Sequence, residues 1–482
     1  MKSLLVDAFE PPLRDSDQTL TEQIVAMLIR KITLLGLRPG SRLPSIRRLA
    51  EHLEVSRFTI VEAYEQLVGQ GWLQARQGAG YFVSGRPAPQ DQGALDPRLT
   101  AGQGTEPAAA TLDVAWLLKS TLRDVGGGFV PGSSALLPQQ WLDVDMLAAA
   151  VRSTGRGSCS SLLGYGPPQG YLPLRVSMAD ALQRLGIPAH PEQNLLLTAG
   201  VTHAVDLVLR ALTQPGDCVL VEDPAWFLVF GRLAAAGVRV LGVPRGPDGP
   251  DVAVLEQLAR EHRPRLFIIN SAIHNPTGYS LSARSAYAVL KLAEQYDFRI
   301  FEDDTYGDLH PGGAIRLAAL DGLQRVVHAG GFAKTLAAGM RVAYLAAAPE
   351  LVSTLTDLKL LSGLTTPELN ERIIQKIVSS GDYQRHVQRV RQQVDAARHE
   401  SLRLFGRLGL RIDPEPVGGM FLWLDCGQDS EQLARRAAAD GLLLAPGRLF
   451  SPTQAPDTHI RFSVSITQSP QTWKKVAALL AG

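Results

Sequence analysis

Cysteine is scarce in this sequence. Only Cys159, Cys218 and Cys426 occur among 482 residues, far apart and without a CxxC pair. That spacing argues against a disulfide framework or a zinc site and suits a reducing compartment. Long apolar runs are missing too. No stretch approaches the roughly 20 apolar residues of a membrane span, and Asp7 and Glu10 interrupt the place where a secretory leader needs an apolar core. There is no imbalance of charge: 48 Lys and Arg face 47 Asp and Glu, a net charge of +1. No global field therefore advertises a nucleic-acid partner, and any basic footprint must be local. The expectation is a soluble, cytoplasmic protein without a metal site. What is present is ample: 482 residues, 45% hydrophobic and 20% charged, exceed one ordinary core and predict two or more globular domains.

Three zones separate by composition. Residues 15–85 carry helical periodicity and a short hairpin pattern. Residues 86–112 (from RPAPQDQGALDPRLTAGQGTEPAAA onward) are rich in Pro, Gly, Gln and Ala and lack large apolar side chains. Such a segment cannot bury enough surface to offset its ordering entropy and reads as a flexible linker. Across 113–482, strand-like runs alternate with helical ones: NLLLTAG then HAVDLVLRALTQ, DCVLVE then WFLVFGRLAAAG, followed by RLFIIN, FRIFEDD and RVVHAGG. That alternation predicts an α/β body with a mostly parallel sheet.

Within the first zone, TEQIVAMLIRKITLL places Ile24, Leu28, Ile32 and Leu35 on one face of a helix that Thr21 would cap. Ser45 opens a second helix, Val55-Ser56 form a turn, and a third helix runs from about Arg57 to Gln70. Gln74–Arg76 and Tyr81–Val83 flank the turn Gln77-Gly78-Ala79-Gly80. Helix, helix-turn-helix and hairpin in this order predict a winged helix, with the N-terminus of its last helix in a major groove of duplex DNA. Ser56, Arg57 and Thr59 occupy that N-terminus, and Arg57 can fork onto guanine O6 and N7. Ser45 and Arg47 suit phosphate contacts, and Gly78 allows close approach of the wing backbone. Between Thr21 and Gly85 eight Lys and Arg face five Glu, a modest local excess. A protein–protein module with a solvated basic face is the alternative. LPSIRRLAEHLEVSRFTIVEAY, however, resembles the DNA-binding domain of the GntR family, whose DNA contacts fall at Arg47, Arg57, Thr59 and Gly78. Phe58 departs from that pattern, which usually has a small polar residue there.

A pyridoxal-phosphate site requires an imine-forming lysine, an acid at the pyridine nitrogen, groups on the phenolic oxygen, a ring stack and a phosphate cup. Lys334 stands among small and apolar neighbours in HAGGFAKTLAAGMR, where desolvation would favour the neutral amine. Asp303 ends the strand FRIFEDD, where ligands of α/β sheets bind; a helix cap or a metal site is the other use of Glu302-Asp303-Asp304. Tyr306 follows three residues later. Asn275 lies in HNPTG, which is turn chemistry in its own right. Trp226 in EDPAWF is a ring stack or a core residue. Strand, glycine and helix in TAGVTHAVDLVLRAL would turn the N–H groups of Val201 and Thr202 towards a phosphate, with Arg341 as counter-charge. Arg461 suits a carboxylate, or pairs with an internal acid.

The order of these motifs resembles the fold-type I aminotransferases over about residues 125–480, through YGPPQGYLPLR, TAGVTHAVDLV, EDPAWF, NPTG, EDDTY, FAKTLAAGMR, GGMFLWL and IRFSVS. The resemblance implies Lys334 as the Schiff-base lysine with pyridoxal 5'-phosphate, Asp303 at the ring nitrogen, and Asn275 with Tyr306 on the phenolic oxygen. It also implies Trp226 as the stack, Thr202 and Arg341 on phosphate, and Arg461 on a ligand carboxylate. Tyr165 would reach the phosphate of a neighbouring subunit in a homodimer. The family commonly has hydroxyls or amides at Val201 and His203 and serines at Gly331 and Ala333, so cofactor affinity is expected to be lower here. A winged helix, a linker and such a body together resemble the MocR subfamily of GntR-type bacterial regulators. The implied fold is an α+β winged helix-turn-helix (15–85), a linker (86–112) and an α/β body with a smaller C-terminal α+β subdomain (113–482). The implied function is promoter binding controlled by pyridoxal phosphate or by an amine or amino acid reacting with it. A working aminotransferase with an appended DNA-binding domain is the alternative, and a regulator whose body has lost its cofactor a third.

Overall fold

The computed structural model describes residues 19–34, 41–69, 72–76, 80–83, 130–156 and 160–481. Contacts divide the chain into two units, Met1–Ala108 and Ala109–Gly482. Gly78, Cys159 and the expected linker lie outside the described residues.

The N-terminal unit comprises α1 (Leu20–Leu34), α2 (Ile46–Leu53), α3 (Arg57–Gly69) and the antiparallel strands β1 (Leu73–Arg76) and β2 (Gly80–Val83). Its core is the apolar stripe of each helix: Ile24 and Leu28 of α1, Leu49 and Leu53 of α2, and Ile60, Tyr64 and Leu67 of α3, closed by Leu73 and Val83. The cap of α1 is Thr19 rather than Thr21. The Thr19 hydroxyl accepts from the Glu22 N–H at 3.2 Å while the Glu22 carboxylate accepts from the Thr19 N–H at 2.9 Å. This reciprocal box lies two residues upstream of the expected cap; the Thr21 hydroxyl instead donates to Glu62 of α3. Tyr64 donates to the Pro44 carbonyl at 2.9 Å, tying α3 to the start of α2.

The second unit is built on an eight-stranded sheet. In chain order, after the short β3 (Val130–Pro131), its strands are β4 (Leu195–Thr198), β5 (Cys218–Asp223), β6 (Arg239–Gly246), β7 (Gly249–Pro250), β8 (Leu266–Ile269), β9 (Arg299–Asp303), β10 (Val326–Gly331) and β11 (Ala343–Ala346). They lie side by side as β4-β11-β10-β9-β8-β5-β6-β7. The central pairs are parallel, as the alternating pattern predicts; β11 runs antiparallel to both β10 and β4. The parallel strands are buried on both faces, one face packing Leu197, Leu220, Phe267 and Ile300, the other Leu196, Val219, Val221 and Phe301. This explains why they read as continuous apolar runs. A smaller antiparallel sheet of β12 (Phe421–Asp425), β15 (His459–Ser463) and β14 (Ala445–Pro446) packs with the C-terminal helices around Phe405, Phe421 and Phe462, while β13 (Leu442–Leu443) pairs with β3. No helix among the described residues is long and apolar enough to cross a membrane.

Candidate functional site

The sheet places the singled-out residues at one edge. Helix Val201–Leu212 follows β4, Trp226 follows β5, Asn275 follows β8, Asp303 ends β9 and Lys334 follows β10. Because these strands share one direction, their C-terminal ends converge on a common crevice. Antiparallel β11 begins at the same edge, which brings Arg341 there as well.

Lys334 is half-buried, donates to the Ala135 carbonyl at 3.1 Å and lies 5.7 Å from the centre of the Tyr306 ring. Burial, with the cations Arg461 and Arg341 nearby, lowers its pKa to about 8, and Asp303 opposes that fall. The next residue, Thr335, is held twice by the long helix Asp382–Arg407: its hydroxyl meets Tyr383 at 2.7 Å, and His386 donates to its carbonyl at 2.7 Å. The lysine loop therefore has little freedom despite its glycines.

The three successive acids Glu302, Asp303 and Asp304 have separate fates. Glu302 is fully buried, accepts from the N–H groups of Leu317 and Ala318 at the start of helix Leu317–Asp321, and bonds His328 at 2.9 Å. Asp304 pairs with Arg316 at 2.7 Å. The helix-cap use thus belongs to Glu302. Strand alternation turns Asp303 to the opposite face, where its carboxylate accepts the Thr305 N–H at 2.9 Å and lies close enough to feel the charge of Lys334. Burial pushes its pKa up, and the nearby Lys334 cation opposes that rise.

Arg461 comes from β15 of the smaller sheet and is 3% exposed. It donates to the Asn275 side-chain oxygen at 2.9 Å and to the Ser133 carbonyl at 2.8 Å. The rings of Phe421, Phe450 and Phe227 surround it at 4.2, 5.0 and 5.5 Å. Among the described residues no ion pair holds it and no internal acid claims it; its Nε has no hydrogen-bond partner, and burial lowers its pKa to about 10. Tyr306 is buried edge-to-face against Phe421, and its hydroxyl is held protonated by burial.

Gly200 caps helix Val201–Leu212 without a side-chain bond, at φ 89° and ψ 160°. The first N–H groups of a helix have no intrahelical partner, so those of Val201 and Thr202 face the crevice at its positive end. The Arg341 guanidinium lies over Gly200, donating to the Ala199 carbonyl at 3.0 Å and the Thr202 hydroxyl at 3.3 Å; a Cβ on Gly200 would overlap it. Trp226 is half-buried against the same apolar cluster that supports Val201. A Cβ on Gly331 would come within 2.8 Å of Ala343 Cβ, which explains why no serine stands there. Tyr165 is 80% exposed.

Several residues that shape the crevice carry no motif. Glu222 forms a buried ion pair with Arg245 and accepts from the Asn270 N–H at 2.8 Å, and the Asn270 amide donates to the Asp303 carbonyl at 2.7 Å. An asparagine closing the apolar run LFIIN was the available signal. Ser133 and Ala135 act through carbonyls, which no side-chain pattern reveals.

In the N-terminal unit, Ser45 accepts from the Arg48 N–H at 3.4 Å and Ser56 from the Thr59 N–H at 3.1 Å, capping α2 and α3. The Ser56 and Thr59 hydroxyls also bond each other at 2.7 Å. Arg47 and Arg57 are exposed, Arg47 pairing with Glu51 at 2.8 Å.

A winged helix-turn-helix on a chain whose body has the fold-type I aminotransferase architecture defines a two-part class of protein. The model for aminotransferase class I and II matches residues 136–478, and that for the gntR family of bacterial regulatory proteins matches 20–83. The chain therefore belongs to the aminotransferase class I and II family and carries a gntR-family regulatory domain at its N-terminal end. It is 30% identical over 457 residues to the HTH-type transcriptional regulator TauR of Rhodobacter capsulatus, covering 90% of each chain. It is 26% identical to the probable rhizopine catabolism regulatory protein MocR of Rhizobium meliloti, over 78% of this chain and 75% of that one. Among solved structures it is similar to LysN, the alpha-aminoadipate aminotransferase of Thermus thermophilus, complexed with N-(5'-phosphopyridoxyl)-L-leucine. The TM-score is 0.67 at 28% identity, covering 75% of this chain and 92% of that one.

Proposed function

We propose that this chain is a cytoplasmic, homodimeric transcription regulator whose winged helix binds operator DNA and whose body senses an amine or amino acid through pyridoxal 5'-phosphate at Lys334. The observation that carries the reading is a lysine amine near neutrality beside a buried aspartate, on the same chain as a winged helix. The residues present fit the cofactor. An orphaned, buried Arg461 Nε, a Gly200 cradle closed by Arg341 and an open helix N-terminus are what an anionic, aldehyde-bearing ring requires.

Pyridoxal phosphate, when bound, supplies an aldehyde that condenses with amines and a ring that draws electrons from the adduct. The chain does the rest. Lys334 presents an amine whose charged form burial disfavours, and the Asp303 carboxylate would hold a proton at the ring nitrogen. Tyr306 and Asn275 would serve the phenolic oxygen, and Trp226 would stack on the ring. Val201, Thr202 and Arg341 would bind the phosphate, joined by Tyr165 from a second copy. Arg461 orients a ligand carboxylate. A ligand shifts DNA binding only through unequal affinity for two states of the protein, and a ligand amine competing with Lys334 would provide that inequality. In the full-length chain, Lys334→Ala should abolish both the visible absorbance gained with pyridoxal phosphate and the effector response of promoter binding. Unchanged regulation in that variant would refute the proposal.

The intact set of Lys334, Asp303 and Arg461 also supports a second reading, an aminotransferase addressed to DNA. Sustained turnover of an amino acid with an oxo-acid would favour it; a single half-reaction at most fits the sensor.

A further inference from the structure

Phe58 is the only large apolar side chain exposed among the described residues of the N-terminal unit, at 76%. It is the second residue of α3, and its ring has no aromatic or cationic partner among the described residues. The inward face of this helix is occupied by Ile60, Ala63, Tyr64 and Leu67, so Phe58 is directed outward by the helical period. Leaving a phenyl ring in water forgoes its burial, and no packing among the described residues of this unit covers it.

Its neighbours narrow its use. The hydroxyls of Ser56 and Thr59 are engaged with each other and with the cap. Arg57 and Phe58 are therefore the side chains that the first turn of α3 projects freely. One and two turns on, Glu62 and Glu65 are exposed. Carboxylates repel the phosphate backbone, so only the first turn of α3, at the positive end of the helix dipole, approaches DNA closely. A phenyl ring neither donates nor accepts hydrogen bonds and cannot read the N7, O6, N4 or O4 pattern of base edges. The one apolar feature of the major groove is the 5-methyl group of thymine.

Resting on the DNA-binding reading above, we propose that Phe58 is a specificity determinant that packs against a thymine 5-methyl group, beside the base pair contacted by Arg57. The test is a selection from random-sequence DNA duplexes with the full-length chain and with its Phe58→Ala variant. Selected sites are then remade with deoxyuridine in place of each thymine, which removes only the methyl. At one position the wild type should lose affinity about fourfold, the fold-change corresponding to one apolar carbon at about 0.8 kcal/mol. Phe58→Ala should bind the thymine and deoxyuridine duplexes equally and show a weaker thymine preference there. Because the side chain is exposed, the variant should keep the wild-type circular dichroism and melting temperature. Wild-type indifference to every methyl, as for a ring wedged between base steps, overturns the inference alone, and so does methyl sensitivity that survives Phe58→Ala. Enrichment of no duplex at all overturns the DNA-binding reading itself.

Discussion

Burial and two guanidinium groups disfavour the ammonium of Lys334, and Asp303 alone among its charged neighbours favours it. With a pKa of about 8 in place of 10.5, only a minor fraction of the amine is neutral at physiological pH, but that fraction is on the order of two hundred times the one in an ordinary lysine. Capture of pyridoxal phosphate by the apo chain should therefore quicken as pH rises and level off above a midpoint near 8, measured by stopped-flow absorbance. A midpoint near the ordinary lysine value would contradict the described environment. The sign for stability follows from linkage. Between about 8 and 10.5 the unfolded lysine binds more protons than the folded one, so the apo fold gains stability as pH rises across that window and loses it on return. Arg461 shows the complementary case. Its cation persists in an aromatic surround because Asn275 and the Ser133 carbonyl solvate two of its nitrogens, while its buried Nε has no hydrogen-bond partner among the described residues.

Among the elements, helix Val201–Leu212 is the most exposed to a single change. Its cap residue Gly200 has a backbone conformation that essentially only glycine adopts, and Arg341 occupies the space where a side chain would begin. Gly200→Ala should weaken pyridoxal phosphate binding roughly tenfold, in line with about 1–3 kcal/mol of strain, while leaving the winged helix intact. Equilibrium titration of the visible band reads the first effect and DNA retention the second; undiminished affinity would show that the phosphate is held elsewhere. Most of these elements were legible in the sequence. Short apolar runs alternating with helical ones marked β4, β5, β8, β9 and β10, and Ser45, the Val55-Ser56 turn and the run from about Arg57 to Gln70 marked the two helices of the DNA-binding motif. The cap of α1 was displaced because Thr19 and Thr21 are both adequate caps by residue type. Only the position of Glu22, three residues after Thr19, decides between them.

For the whole molecule, the exposure of Tyr165 agrees with a tyrosine that serves a second copy of the chain. If the sites are shared in this way, Tyr165→Ala and Lys334→Ala should each lower cofactor loading. A mixed dimer of the two variants should regain one complete site. Co-expression with two affinity tags, followed by absorbance of the doubly purified species, gives the expected half-occupancy. No recovery would confine each site to one chain.

By itself the sequence determined the two-part architecture, because hydrophobic period, turn residues and motif order are local properties that survive in a string of letters. It also singled out Lys334, Asp303, Asn275, Tyr306 and Arg461 by residue type and context. Only the tertiary structure decided what those residues face. The shared direction of β4, β5, β8, β9 and β10 brings together groups separated by more than a hundred positions. Strand alternation gives Glu302 to a helix cap and Asp303 to the crevice, and folding leaves Arg461 buried without an acid among the described residues. Charge, exposure and partner are properties of neighbours in space, and those are set by the fold.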